Sequence, residues 1–96
     1  MITVANQTRA AGTCVDVGQW LRPAEQTTVN HSDLIAELAE RPVVLLGEVH
    51  IENEHHRWQL HTLAALHAKN PNMVIAFEAF PRSTQPALDK WVKGDL

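Results

Sequence analysis

The sequence predicts an α/β domain opening on a βαβ unit with two parallel strands. Two short apolar runs, 43–47 (VVLLG) and 73–77 (MVIAF), read as strands buried on both faces. Between them, 53–69 has the length and apolar spacing of an amphipathic helix, and a strand–helix–strand crossover places its strands parallel. Both runs end in residues that carry chemistry: VVLLGEVH closes on Glu48, Val49 and His50, and the second run closes on Glu78. A strand that only fills a core ends in Gly, Asn, Asp or Pro.

The chain has 96 residues, 45% of them apolar, which fits one small globular unit or a piece of a larger one. Its formal net charge is -3 and its eight basic residues are scattered, so no nucleic-acid partner is expected. A single cysteine, Cys14, excludes an internal disulfide. The segment before it lacks the apolar stretch of a secretory signal, and no run approaches a membrane span. The compartment is therefore open, cytoplasmic by default.

Taken in order, 1–30 is rich in Thr, Gln, Asn and Gly and is expected to be an irregular lead-in. Val15, Val17, Trp20 and Leu21 could pin part of it to a core. Asn30, Ser32 and Asp33 offer capping groups for a helix in which Leu34, Ile35 and Leu38 recur at helical spacing, until Pro42 stops it. After the first strand, Trp58, Leu63 and Leu66 mark one face of the 53–69 helix, with Leu60 and Ala64 beside them. Asn70-Pro71-Asn72 ends that helix. Ser83 or Gln85 is expected to cap a last helix, with Pro86 in its first turn, Leu88, Trp91 and Val92 as its stripe, and Gly94 at its end.

Two parallel strands would bring Glu48, His50 and Glu78 to the carboxyl edge of one sheet, where open α/β sheets bind ligands. Two carboxylates and an imidazole are ligand types for a divalent metal such as Zn, Mn or Fe, and also an acid/base set. Glu48 and His50 share a face of an extended chain, and Gly47 leaves room for a ligand to approach. The bland alternative is that the acids cap helices or pair with Arg57 or Arg82. Of the adjacent His55 and His56 only one can face this edge, since neighbours on a helix diverge by about 100°; His56 is the better placed. His61 and His67 read as surface or packing residues. No H-E-x-x-H signature, Gly-rich phosphate loop, G-x-S-x-G or cysteine cluster is present.

At VVLLGEVH, HHRWQ and VIAFEAF the chain resembles the ChaN-like family of haem-binding uptake proteins, within the wider Tiki/TraB and erythromycin-esterase superfamily. That family pattern is a strand into G-E-x-H, a short loop, H-H-R-x-Q, a strand ending E-M-F, and a helix with Q-x-x-L-D. Here these are Gly47-Glu48-Val49-His50, His55-His56-Arg57-Trp58-Gln59, Glu78-Ala79-Phe80 and Gln85-Pro86-Ala87-Leu88-Asp89, in order from about residue 20 to 96. The chain departs from the pattern in Ala79 for Met, in having no tyrosine, the haem ligand expected of the family, and in lacking a lipoprotein signal.

The resemblance implies that 31–96 is the amino-terminal part of a larger three-layer ChaN-like α/β domain, truncated here. It implies haem as the small-molecule ligand, an iron-regulated uptake role, and His50, His56 and Arg57 as ligand-binding positions. Relatives are often periplasmic or lipid-anchored. The enzymatic alternative is a metal-dependent hydrolase or peptidase with Glu48, His50 and Glu78 as metal ligands and catalytic groups; an inactive remnant is the third reading. A sheet left uncovered is expected to aggregate or to form a homo-oligomer.

Overall fold

The computed structural model describes residues 14–96. Residues 1–13 of the expected lead-in lie outside them. Inside the remainder of that lead-in the chain forms an antiparallel hairpin. Strand β1 (Trp20–Arg22) pairs with β2 (Thr27–Val29) in the register Trp20↔Val29, Leu21↔Thr28 and Arg22↔Thr27. Aromatic and β-branched residues suit this half-buried pleat. Strands of three residues are too short to show alternation, which is why the sequence pattern does not reveal them.

Helix α1 (His31–Ala39) starts where its capping group dictates. The Asn30 side chain accepts the Asp33 N–H at 2.9 Å and the Ser32 hydroxyl at 2.8 Å. Leu34, Ile35 and Leu38 turn inward, and Ile35 is buried. Helix α2 (Asn53–Lys69) has the bounds expected from the sequence. Its inward face is His55, Trp58, Gln59, Thr62, Leu63 and Leu66, whereas Leu60 points to solvent. His67 and Lys69 in its last turn suit the negative end of the helix dipole. The core lies between α1 and α2, where Ile35, Thr62 and Leu66 are buried.

The hairpin is fastened to both helices by Trp20. Its indole N–H donates to His31 Nδ1 at 3.3 Å, and its ring meets Trp58 edge-on with centroids 5.5 Å apart. Of the other residues expected to pin the lead-in, Val17 is exposed. Gly18 passes close to the same cluster with φ +84°, and a Cβ there would lie 3.3 Å from Trp58 Cζ2.

A 3-10 turn (Arg82–Thr84) leads into α3 (Gln85–Lys93). Neither Ser83 nor Gln85 caps it. The Thr84 hydroxyl donates to the Pro81 carbonyl at 2.7 Å, and Gln85 Nε2 donates to Asp89 Oδ1 one turn on at 2.9 Å. Gly94, at φ 79°, ends the helix as expected, with its own and the Asp95 N–H returning to the carbonyls of Trp91 and Lys90.

The parallel βαβ unit is not supported. Among the described residues the sheet is the two-stranded β1–β2 hairpin alone, and neither 43–48 nor 73–78 carries a ladder. The chain is therefore mixed α/β with an antiparallel hairpin. Two parallel strands by themselves form slanted, weaker bonds, and an isolated pair of strands is marginal in water. Apolarity makes a run a suitable strand; only a neighbouring strand makes it one. Val43, Leu45, Val74, Ile75 and Phe77 are accordingly exposed. The radius of gyration is 17.8 Å, against about 12–13 Å for a compact chain of this length.

Asn30→Ala removes the α1 cap and is expected to lower stability by about 1 kcal/mol. Gly18→Ala, forced into the left-handed region against Trp58, is expected to cost about 1–2 kcal/mol. Urea unfolding followed by far-UV circular dichroism checks both; unchanged midpoints would contradict the roles given to these residues.

Candidate functional site

The first apolar run delivers its acid to a tight reversal. The Glu52 N–H donates to the Val49 carbonyl at 2.9 Å, closing a turn over 49–52, and Glu52 then stands at the N-cap of α2. The reversal brings the first turns of α2 back over Glu48 and His50.

Glu48 is the centre of what results. One carboxylate oxygen lies 2.9 Å from His50 Nδ1 and the other 2.9 Å from His56 Nε2. The Glu48 side chain is 23% exposed, His56 44% and His50 73%. The hydrogen bond from His50 holds the Glu48 carboxyl below its ordinary value of 4.5; partial desolvation opposes this, and the His56 charge adds to the lowering. Each of Glu48, His50 and His56 offers one ligand atom, and these atoms lie within 4.8 Å of one another. Two imidazoles and a carboxylate are a donor set for Zn, Mn or Fe.

The adjacent histidines diverge as helix geometry requires. His56 joins Glu48, while His55 Nδ1 accepts the Val49 N–H at 2.8 Å. Four residues on, Gln59 Nε2 donates to the Leu46 carbonyl at 3.2 Å. The pattern H-H-x-x-Q therefore spans one ligand-type residue and two backbone contacts. The role of His55 escapes a sequence reading, whose one hint was that two neighbours cannot face the same way.

The other expected residues lie elsewhere. Arg57 pairs with Glu54 on the exposed side of α2, so it does not neutralise Glu48. Glu78 sits in a turn after 73–77, is exposed, and is not part of the group around Glu48. His61 packs against His31 with ring centroids 4.5 Å apart and the rings tilted by 31°, and His67 is exposed. Beside the cluster runs an open-sided groove of about 420 Å³, lined by Trp20, Leu45, Leu46, Gly47, Trp58 and Gln59 and reaching Glu48 and His55. A Cβ on Gly47 would meet nothing within 4 Å, so that flank is open space. No helix of the described residues is long and apolar enough to cross a membrane.

Residues 34–96, well over half of the chain, match a family model described as "Haem-binding uptake, Tiki superfamily, ChaN". No curated protein and no solved structure matches the chain.

The Glu48 carboxyl is expected to titrate below 4.5 in a ¹³C NMR titration, and His50→Ala should return its midpoint toward that value. Because the folded carboxyl is lowered, its stabilising contribution is complete above its unfolded value and is lost as pH falls through the lowered native value. An unshifted Glu48 midpoint would show that the His50 hydrogen bond does not persist in solution.

Proposed function

The chain belongs to the haem-binding uptake family ChaN of the Tiki superfamily, and on that premise we propose that His50 is its iron-ligating group for haem, oriented by Glu48. The observation that carries this reading is the Glu48–His50 contact. An imidazole that donates its Nδ1–H to a carboxylate keeps its Nε2 lone pair for a metal, in a fixed tautomer and with raised basicity. The His50 ring is largely exposed and so open to a planar ligand. The donor set fits haem: imidazole is a haem-iron ligand, and His50 and His56 supply it. Bound haem would supply a redox-active iron, held by the His50 imidazole. His56 holds the second Glu48 oxygen, and Arg57 would have to exchange its Glu54 partner to meet a propionate.

On the same reading, 31–96 is the amino-terminal part of a larger α/β domain with an iron-regulated uptake role. Its support is that Val43, Leu45, Val74, Ile75 and Phe77 lie uncovered. Uncovered faces of this kind also favour self-association.

A second reading rests on the three ligand atoms of Glu48, His50 and His56 within 4.8 Å. Three protein donors with open positions left over are the pattern of a hydrolytic metal centre, where the ion lowers the pKa of bound water. In that reading the ion is held by Glu48, His50 and His56, and Glu78, outside the group, takes no part.

Ferric haemin titrated into the full chain is expected to give a saturable Soret shift that disappears in His50→Ala. Glu48→Gln should weaken it about 10-fold or more, and His67→Ala should leave it intact. Saturable Co²⁺ binding lost in His56→Ala, with ester hydrolysis and no Soret shift, would replace haem by the second reading.

A further inference from the structure

We propose that His55 is a positioning residue which, together with Gln59, presets the 46–50 segment so that Glu48 and His50 meet His56. The inference rests on the reading of Glu48, His50 and His56 as an iron or metal site. Glu48 and His50 lie on a stretch without regular secondary structure. A carboxylate and an imidazole on a free loop would have to be ordered by the ligand itself, at an entropic cost to affinity.

Two contacts from one helix face remove that freedom. His55 and Gln59 are four apart, so they stand one above the other on α2. Gln59 reaches back to the Leu46 carbonyl, two residues before Glu48, and His55 takes the Val49 N–H, between Glu48 and His50. Glu48 is therefore bracketed by backbone contacts at both sides. The Glu52 to Val49 turn bond closes the far side of His50.

The hydrogen bond also assigns the chemistry of the ring. An imidazole whose Nδ1 accepts a backbone N–H carries its proton on Nε2 when neutral. Its lone pair is committed to the loop, so His55 is not itself a ligand while the loop keeps this shape. The two neighbouring histidines thus divide the work: His56 touches the carboxylate, and His55 holds the backbone that carries it.

The test compares the full chain with His55→Ala and His55→Asn, the second keeping an acceptor near the Nδ1 position. Co²⁺ alone and ferric haemin are the probes, and amide exchange at Val49 together with the His55 tautomer by ¹⁵N NMR report on the metal-free protein. The expected result is an Nε2–H tautomer and a slowly exchanging Val49 amide. In His55→Ala that protection is lost and Co²⁺ affinity falls about 10- to 100-fold; His55→Asn restores both in part. Wild-type binding that His55→Ala leaves unchanged in affinity and Co²⁺ spectrum overturns the positioning role and spares the site. Affinity lost in both variants, with Val49 exchange unaltered, makes His55 a ligand and also overturns it. A wild-type chain that binds neither probe overturns the site reading, and this inference with it.

Discussion

The contact on which the rest of this structure depends is Trp20 between two helices. Its N–H meets His31 at the start of α1, and its ring edge meets Trp58 on α2. With Ile35, Thr62 and Leu66 the buried residues of the described chain, no large core exists to hold the elements together. The aromatic group, extended by the His31–His61 and Trp58–His61 contacts, supplies interlocking surface that the small core does not. The Arg22–Glu37 pair links the same hairpin to α1, but it is solvent-exposed, and such pairs contribute little.

Once α2 is held in this way, its first turns have a fixed relation to the end of the 43–47 run. His56 reaches Glu48, His55 reaches Val49, and Gln59 reaches Leu46. The cluster is open to solvent, so its ionic contacts contribute little to stability; what they fix is orientation. A carboxylate shared between two imidazoles sets their tautomers and their spacing, which is what a metal or an iron porphyrin requires of its donors.

The apolar runs tell the other half. Residues 43–46 alternate between exposed and half-buried positions, with Val44 and Leu46 turned inward and Val43 and Leu45 outward. That is the periodicity of a strand whose inner side is covered and whose outer side is not. On α3, Leu88 is half-buried while Trp91 and Val92 face solvent. Each local pattern is well formed, and each lacks the neighbour that would bury it.

Local chemistry was legible in the residues alone. The Asn30 cap, the bounds of α2, Pro86 inside α3 and Gly94 at its end all follow from side chains acting within one or two turns. That only one of His55 and His56 meets Glu48 follows from the angular spacing of a helix. What sequence could not decide was pairing. A ladder depends on groups far apart along the chain, so the apolar runs at 43–48 and 73–78 suggest a parallel partnership that the fold does not form, while β1 and β2 are too short to show in the pattern. The same limit governs the site. Which acid joins the histidines is a question of distance in space: tertiary structure gathered His56 to Glu48 and His50 and left Glu78 outside the group, because a tight turn and one helix face bring the first three together, whereas reaching Glu78 would have required the missing ladder.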